Sequence, residues 1–359
     1  MANVTTTTQV AGPVNVIFQQ TLLRNAKPLC PYLVGAQEGD VIQSHSGSFT
    51  IKWRRIDNLT PTTSALSELT GALSLPARSP GSILAVTDTT AVLLKFGDFI
   101  VMTEETDLIN FNGQTDKVME VLGIQSGRSL NRLQRNELED NGTIVRPNQV
   151  ATDAEIGDRI TVDLLRYAIN QLDRNDAYKF TEMSTGSQNV GTSPMLPAYF
   201  LLCHSDVAAD ISLLNGFKSV ETYAGQLATK PGEFGAITLA GSAVRCIATS
   251  EGTIDAGTGA DGSAGVRITT AKVDVYSTVI MGQYYHGAAS LDVNLIKEIY
   301  RAGDELPGIQ VITHGRGTSG IADALNDLGS MGWKFWHVPK ILNSVWGLTI
   351  RSAASKLAA

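Results

Sequence analysis

The feature that most constrains this chain is a pair of strand-like stretches joined by a long apolar connection. Phe49, Ile51 and Trp53 alternate with Thr50, Lys52 and Arg54, the period-two pattern of a strand with two unlike faces. A second β-like stretch, Ile83 to Met102, contains Val86, Val92, Leu93, Leu94, Phe99, Ile100 and Val101. Between them, residues 57–82 hold three prolines (Pro61, Pro76, Pro80) and many Ser and Thr. Connections longer than about 12–15 residues are uncommon in compact domains and are usually functional or disordered. This one also carries Leu59, Leu66, Leu69, Leu73 and Leu75, too much apolar surface for a solvated linker. The expectation is a very long hairpin that docks on something.

Composition supports the same idea. Charged residues make up 18% of the 359 residues, against roughly 25% in an average globular chain. Charge is depleted in the buried cores of interfaces, so an oligomer is expected. Hydrophobic residues are 43%, enough for a sizeable core and for two domains or one elaborate one. Mean hydropathy is +0.02, and no apolar run approaches the ~18 residues of a membrane helix. The net charge of −7 provides no global field toward nucleic acid. The first basic residue is Arg24, which excludes a basic N-terminal arm. Cys30, Cys203 and Cys246 are sparse and lack Cys-x-x-Cys spacing, which points to buried thiols in a reducing compartment. Met1 to Val10 has neither the cationic nor the apolar region of a signal peptide, so the expected site of folding is the cytoplasm. The sequons at Asn3, Asn58 and Asn141 carry no meaning there.

Along the chain, residues 1–43 read as an extended arm with one short helix around Val14 to Leu23. Residues 107–140 read as a long helix, with Val118, Val121, Leu122, Ile124, Leu130, Leu133 and Leu138 near i, i+3, i+4 spacing and Asn141–Gly142 as the stop. A second helix is expected over Ile160 to Leu172, with Ile160, Leu164, Leu165, Ala168, Ile169 and Leu172 on one face. Further on come a strand at Tyr199–Cys203, a short helix at Asp206–Leu214, and strands at Ile237–Ile247 and Val266–Ile280, these two separated by a Gly-rich loop at 252–265. The last strands are Ile309–Thr313, Trp333–Val338 and Val345–Ile350.

No catalytic, cofactor or metal site emerges. Gly315, Gly317 and Gly320 match a dinucleotide-binding spacing between a strand and the helix-like Ile321–Leu328. However, no acidic residue follows Asp327 and only 39 residues follow Gly320, too few for a doubly wound domain. Gly257, Gly259 and Gly262 have the same spacing without a following helix, and a single copy of a calcium-binding repeat is only a loop. No P-loop and no Gly-x-Ser-x-Gly elbow occurs. The histidines (His45, His204, His286, His314, His337) are scattered, and Cys203–His204 are strand neighbours whose side chains diverge. Glu104, Glu105 and Asp107 suit a helix N-terminus better than a catalytic pair. Trp333, Lys334, Phe335, Trp336 and Lys340 interleave aromatic and basic residues, a pattern that can bind single-stranded nucleic acid, but a strand filling a core accounts for it more simply.

The order of these elements resembles the major capsid proteins of tailed bacteriophages, most closely the subgroup related to N-four-type podophages. Three places carry the resemblance. The first is Gly47-Ser48-Phe49-Thr50-Ile51-Lys52-Trp53-Arg54-Arg55-Ile56, followed by Pro61, Leu66, Glu68 and Leu69. The second is Gly232-Glu233-Phe234-Gly235 before a central strand. The third is Gly332-Trp333-Lys334-Phe335 with Ile341-Leu342-Asn343 and Trp346, like the family's closing strands. Together they cover about residues 43 to 351. The loop at 70–82 and Ala324 beside Asp323 depart from the family pattern.

The resemblance implies an α+β fold of the tailed-phage major capsid type. It assigns 1–43 to an N-terminal arm and 44–98 to an extended loop (E-loop) hairpin. It assigns 99–150 to a peripheral domain with a long spine helix, 151–290 to an α/β axial domain and 291–359 to a return to the peripheral domain. It implies a structural protein that forms pentamers and hexamers of an icosahedral head around double-stranded DNA, assembled in the host bacterial cytoplasm and resident in the virion. Subunit contacts are expected at Leu59, Pro61, Leu66, Glu68, Leu69, Leu73 and Leu75. Partners implied are the chain itself, a separate scaffolding protein and a portal, with room for a decoration protein; no cofactor, metal or membrane is implied. Two alternatives of other classes are a nanocompartment (encapsulin-like) shell around a cargo enzyme and a soluble α/β enzyme.

Overall fold

The computed structural model describes residues 30–38, 48–56, 59–61, 63, 83–109, 114–180, 197–222, 232–239, 241–262, 265–290, 309–316 and 325–356. The described chain enters through a 3-10 turn at Pro31–Leu33 and the short β1 (Gln37–Glu38). β2 (Thr50–Ile56) and β3 (Val86–Val92) then pair antiparallel as a separate ribbon. Next come β4 (Leu94–Thr103), α1 (Glu104–Ile109), α2 (Gln114–Asp140) and β5 (Thr143–Val145). α3 (Val162–Arg174), β6 (Ala198–His204), α4 (Ser205–Ser212) and β7 (Phe217–Ser219) follow, then the hairpin of β8 (Glu233–Leu239) and β9 (Ser242–Thr249). Three two-residue strands, β10 (Ile254–Asp255), β11 (Ile268–Thr269) and β12 (Lys272–Val273), precede β13 (Val275–Met281) and β14 (His286–Ser290). The chain closes with β15 (Ile309–His314), β16 (Leu328–Ile341) and β17 (Gly347–Ser352).

Two sheets organise these strands. The larger has eight, in the order β5-β17-β13-β6-β9-β8-β7 with β10 on β13. Its central strands β6 and β13 are buried along their whole length. α3 and α4 cover one face, where Leu165, Ala168, Ile169 and Leu172 pack with Tyr199, Leu201, Cys203, Val207 and Cys246. α3 starts where the Thr161 hydroxyl accepts the Leu164 amide, and its apolar stripe is the one expected from the sequence. The opposite face packs Phe200, Leu202, Val279 and Met281 against Tyr32, Leu138 and Tyr285.

The smaller sheet is organised by β16, which pairs with β4 over ten residues on one edge and with β15 and then β14 on the other. Alternation along β16 divides its aromatics between two cores. Trp333 and Phe335 pack against Met119 and Leu122 of α2, whereas Trp336 and Val338 meet Ile51, Trp53 and Leu93 at the base of the ribbon. Trp333 and Phe335 are only 4% and 3% exposed, so the aromatic run fills cores as the simpler expectation held. Polar pairs fix α2 along this strand: Trp333 Nε1 donates to Gln125 Oε1 at 3.1 Å, and Lys340 Nζ lies 3.1 Å from Glu137 Oε1.

Several local expectations need correction. The stretch 237–247 is two antiparallel strands, turned at Gly241, whose φ of +83° suits glycine. The stretch 83–102 is also two strands, because the chain changes partner at Leu93: β3 pairs with β2 and β4 with β16. Of the expected face of α2, Val121 is 59% exposed, while Leu122 and Leu138 are buried and share the buried side with Ser126, Asn131, Gln134 and Glu139. The expected helix at 321–328 does not run to its end, since Asn326 has φ +62° and Leu328 already opens β16. β15 and β16 belong to the smaller sheet, but β17 crosses back to the larger one. The expected short helix at 14–23 lies outside the described residues.

Candidate interaction surface

Among the described residues, the β2–β3 ribbon is anchored at its base. Ile51 and Ala91 form a buried cross-strand pair, while Ile56 opposite Val86 at the far end is 59% exposed against 45%. An isolated two-stranded ribbon is marginal in water. Here charge pairing stiffens its outer face: Arg54 bonds both Asp88 oxygens, at 2.9 and 3.3 Å, and Lys52 Nζ lies 2.5 Å from Asp88. These hydrogen bonds bring the Asp88 carboxyl down to about 2. Beyond the pairing, Ile83 and Leu84 are 89% and 56% exposed. Leu59 and Pro61 are exposed as well. Leu66, Glu68, Leu69, Leu73 and Leu75, the other expected contact residues, lie outside the described residues.

A second apolar region lies on the smaller sheet. Phe99 and Val101 of β4, Leu108 of α1 and Leu325 are exposed, as is Leu94 on the opposite face of β4. Beside Phe99 is a shallow cavity of about 310 Å³, lined by Gly97, Ile312, His314, Ser330, Gly332 and Trp333 among others. Glycine is needed there for close approach: a Cβ on Gly332 would lie 2.8 Å from Phe99 Cβ, and one on Gly97 2.6 Å from the Trp333 carbonyl. One element thus projects an apolar end and another presents a shallow apolar hollow. Pattern reading pointed to the connection at 57–82; it missed Ile56, Ile83, Leu84 and Phe99, although apolar residues on both sides of a strand were the available signal.

The features that could have carried chemistry are engaged structurally. The amides of Gly257, Gly259 and Gly262 donate to Asp274 Oδ1, the Val273 carbonyl and the Ala271 carbonyl, so these three glycines do not offer their amides to a phosphate. Gly317 and Gly320 lie outside the described residues. Burial raises the Cys203 thiol and pushes Cys246 up to about 12, the opposite of an activated nucleophile. His204 Nδ1 accepts the Asp206 amide and caps α4. Glu104 and Glu105 begin α1, a position that favours carboxylates. A larger open cleft of about 1050 Å³ lies between β5, the turn at 146–150 and α3. Its Arg146 pairs with Asp153 at 2.6 Å, Arg159 bonds Ser355 at 2.9 Å, and Asn148 bonds Asp158 at 2.6 Å. Among the described residues, no group of His, Cys, Asp and Glu could hold a metal, and no helix is long and apolar enough to cross a membrane.

No family model matches the sequence, and no curated protein matches it. The architecture does match solved structures along nearly its whole length. The capsid of Ralstonia phage GP4 superposes with a TM-score of 0.60 at 9% identity, covering 90% of this chain and 88% of that one. The cyanophage Pam1 capsid gives 0.55 at 11% identity, covering 90% and 89%, and the capsid of cyanophage P-SCSP1u 0.52 at 10%, covering 89% and 87%. This chain has the phage major capsid fold. Within that fold the ribbon and the two sheets account for the element order that the sequence resemblance anticipated. The Gly232–Gly235 segment also acquires a physical reason. Gly232 has φ +85°, Glu233 is buried and pairs with Arg245 at 2.8 Å, and a Cβ on Gly235 would lie 2.2 Å from the Phe217 ring.

Proposed function

We propose that this chain is the major capsid protein of a tailed phage, a structural subunit and not an enzyme. The observation that carries the proposal is the β2–β3 ribbon, fixed at its base and apolar at its exposed end, on a chain with the phage capsid fold. An apolar projection on one copy and an apolar hollow on the next make a heterologous contact, and such contacts build closed rings when the rotation closes. The ribbon of one subunit, with Leu59, Pro61, Leu66, Glu68, Leu69, Leu73 and Leu75 in its connection, lies across the smaller sheet of its neighbour.

In this reading residues 1–43 are the arm, 44–98 the hairpin, 99–150 and 291–359 the peripheral domain with α2 as its spine, and 151–290 the axial domain, with β5 and β17 joining the axial sheet and β14 the peripheral one. Pentamers and hexamers close an icosahedral head around double-stranded DNA without reading its sequence. A separate scaffolding protein and a portal direct assembly in the host bacterial cytoplasm, and a decoration protein has exposed surface on which to bind. The podophage-related subgroup belongs to the same proposal.

The test is expression of the chain alone and with its candidate scaffolding protein, followed by light scattering and negative-stain electron microscopy. Closed shells, or rings that convert to shells with the partner, are expected. Deleting residues 57–82 is expected to leave a folded subunit that does not assemble. A stable monomer or dimer under every condition overturns the capsid reading, and normal shells from the deletion overturn the ribbon contact.

A further inference from the structure

Three arginines of α2 converge on Glu251, two on its buried carboxylate and one on its backbone carbonyl. Glu251, 7% exposed, lies just after β9, with Arg128 Nε 3.0 Å from its Oε1 and Arg132 Nε 2.7 Å from its Oε2. The Glu251 amide donates to the Thr249 hydroxyl at 3.1 Å, and the Glu251 carbonyl accepts from Arg135 Nη1 at 2.6 Å. The carboxylate is therefore fixed, and each of its oxygens holds a different guanidinium. Arg135 is turned inward, 16% exposed and 3.9 Å from Glu139. The Arg128 and Arg132 side chains are instead 50% and 57% exposed.

Like charges at i, i+4 on a helix repel. One carboxylate offsets one of the two, so a unit of positive charge remains at a fixed place on a chain of net charge −7. Lys117, also exposed, lies about three turns earlier on the same side of α2, with Glu120, the Gln125-bonded Asp98 and the Arg135-facing Glu139 as described acids near that line. Guanidinium groups already held in place lose little freedom on meeting a second anion, and their planar forks match phosphate oxygens bidentately.

We propose that Arg128 and Arg132, held by Glu251, form a contact for the phosphodiester backbone of duplex DNA. The choice of duplex DNA rests on the capsid reading; the geometry itself calls for neighbouring phosphates carried on a rod, alongside a helix about 40 Å long. Two phosphates per subunit correspond to a change of about 1.8 in the slope of log K against log salt. That is weak for one copy, and it involves no base edge.

The experiment measures binding of a short labelled DNA duplex to the full-length soluble subunit by fluorescence anisotropy over a range of salt. R128Q/R132Q is expected to weaken binding about tenfold at low salt and to remove about two from the slope. Glu251→Gln separates a positioned contact from diffuse attraction. It removes a negative charge yet releases both arginines, so a positioned contact weakens and a diffuse one strengthens. R128K/R132K keeps the charge and loses the forks; recovery of the salt slope with weaker affinity than wild type is the expected result, and it serves where Glu251→Gln does not fold.

Unchanged duplex binding in R128Q/R132Q overturns the proposal. So does loss of polyglutamate binding alone, which assigns the arginines to an acidic protein segment, or competition by inorganic phosphate at equal phosphate concentration, which assigns them to a free anion. Subunits that assemble but ignore duplex fail this inference alone. Subunits that bind duplex but never assemble fail the capsid reading alone.

Discussion

Phe49 stacks on Trp336 with ring centroids 5.2 Å apart and planes within 9° of parallel. This contact joins the residue just before β2 to the outward face of β16, so it fixes where the ribbon leaves the body. The Leu93 amide closes the same base by donating to the Phe49 carbonyl at 2.9 Å. Aromatic pairs of this kind contribute about 0.5–1.5 kcal/mol beyond area burial. Phe49→Ala is therefore expected to loosen the ribbon without unfolding the sheets. Hydrogen exchange at 50–56 and 86–92 should accelerate up to about tenfold, with α3 and β6 unchanged. A uniform acceleration across the chain would place the anchor elsewhere.

The buried pair of Glu233 and Arg245 gives a second prediction. Their side chains are 0% and 11% exposed, on adjacent strands. Removing one partner of a buried pair leaves an uncompensated charge and costs roughly 3–5 kcal/mol. Glu233→Ala should therefore lower the denaturant midpoint sharply. Replacing both residues by Met removes the orphan charge, so E233M/R245M should recover much of the loss. A double variant no better than the single one would show that the pair contributes through other contacts of these two residues.

Tyr285 is fully buried, and its ring lies flat against Gly347. A Cβ at 347 would come within 2.4–2.5 Å of three ring atoms, so the ring or the strand must shift. Overpacking of this type costs about 1–3 kcal/mol. Gly347→Ala is expected to lower the unfolding free energy by that amount, read from urea unfolding. Tyr285→Leu in the same chain should relieve part of the deficit, because it removes the atoms that clash.

Two histidines predict acid sensitivity. Burial pushes the His286 and His337 imidazoles down to about 4, so the folded chain keeps both neutral where the unfolded chain protonates them. The unfolded state binds more protons below about pH 6.5, so stability falls as pH drops from there to about 4 and then levels. Burial raises the Glu139 carboxyl, which acts in the opposite sense and favours the folded state at low pH. The net expectation is a fall of a few kcal/mol between pH 6.5 and 4, read from urea midpoints. His286→Gln should flatten that fall; an unchanged profile would assign the acid sensitivity to other groups.

The parts of this architecture that show in the sequence are those where one face is uniformly apolar. α3 has Leu164, Leu165, Ala168, Ile169 and Leu172 on its buried side, and the expected boundaries differ from the observed ones by two residues at each end. α2 showed in its apolar spacing and its stop, with Val118, Leu122, Leu130, Leu133 and Leu138 packed in the cores, but the buried Ser126, Asn131, Gln134 and Glu139 on the same helix did not. The Tyr32 amide, for example, donates to Asn131 Oδ1 at 3.0 Å, a contact 99 residues apart that no local pattern records. β16 is longer than the expected 333–338 because glycines and a proline interrupt its pattern. Pairing with β4 stops at His337, so Pro339 falls where that edge of the strand has no described partner and its missing N–H costs nothing. The convergence of Arg128 and Arg132 on Glu251 was invisible for the same reason as Tyr32–Asn131: the partner lies about a hundred residues or more away along the chain.

The end of the ribbon separates folding from assembly most cleanly. Ile83 and Leu84 are 89% and 56% exposed and lie beyond the last ribbon pair, Ile56 opposite Val86. Substitutions at such exposed positions usually change stability by no more than about 0.5 kcal/mol. In an assembled contact the same side chains would each contribute about 1.5–3 kcal/mol by burial. A carboxylate in their place must instead be desolvated without a partner, which adds to the loss. I83D/L84D should therefore unfold with an unchanged midpoint and circular dichroism spectrum while its light scattering stays at the value of the free subunit. Both readings are needed, since a variant that loses assembly and stability together says only that it misfolds. Normal shells from a well-folded I83D/L84D would move the contact away from the ribbon end and onto the exposed β4 residues Phe99 and Val101, where Phe99→Asp would be the next substitution.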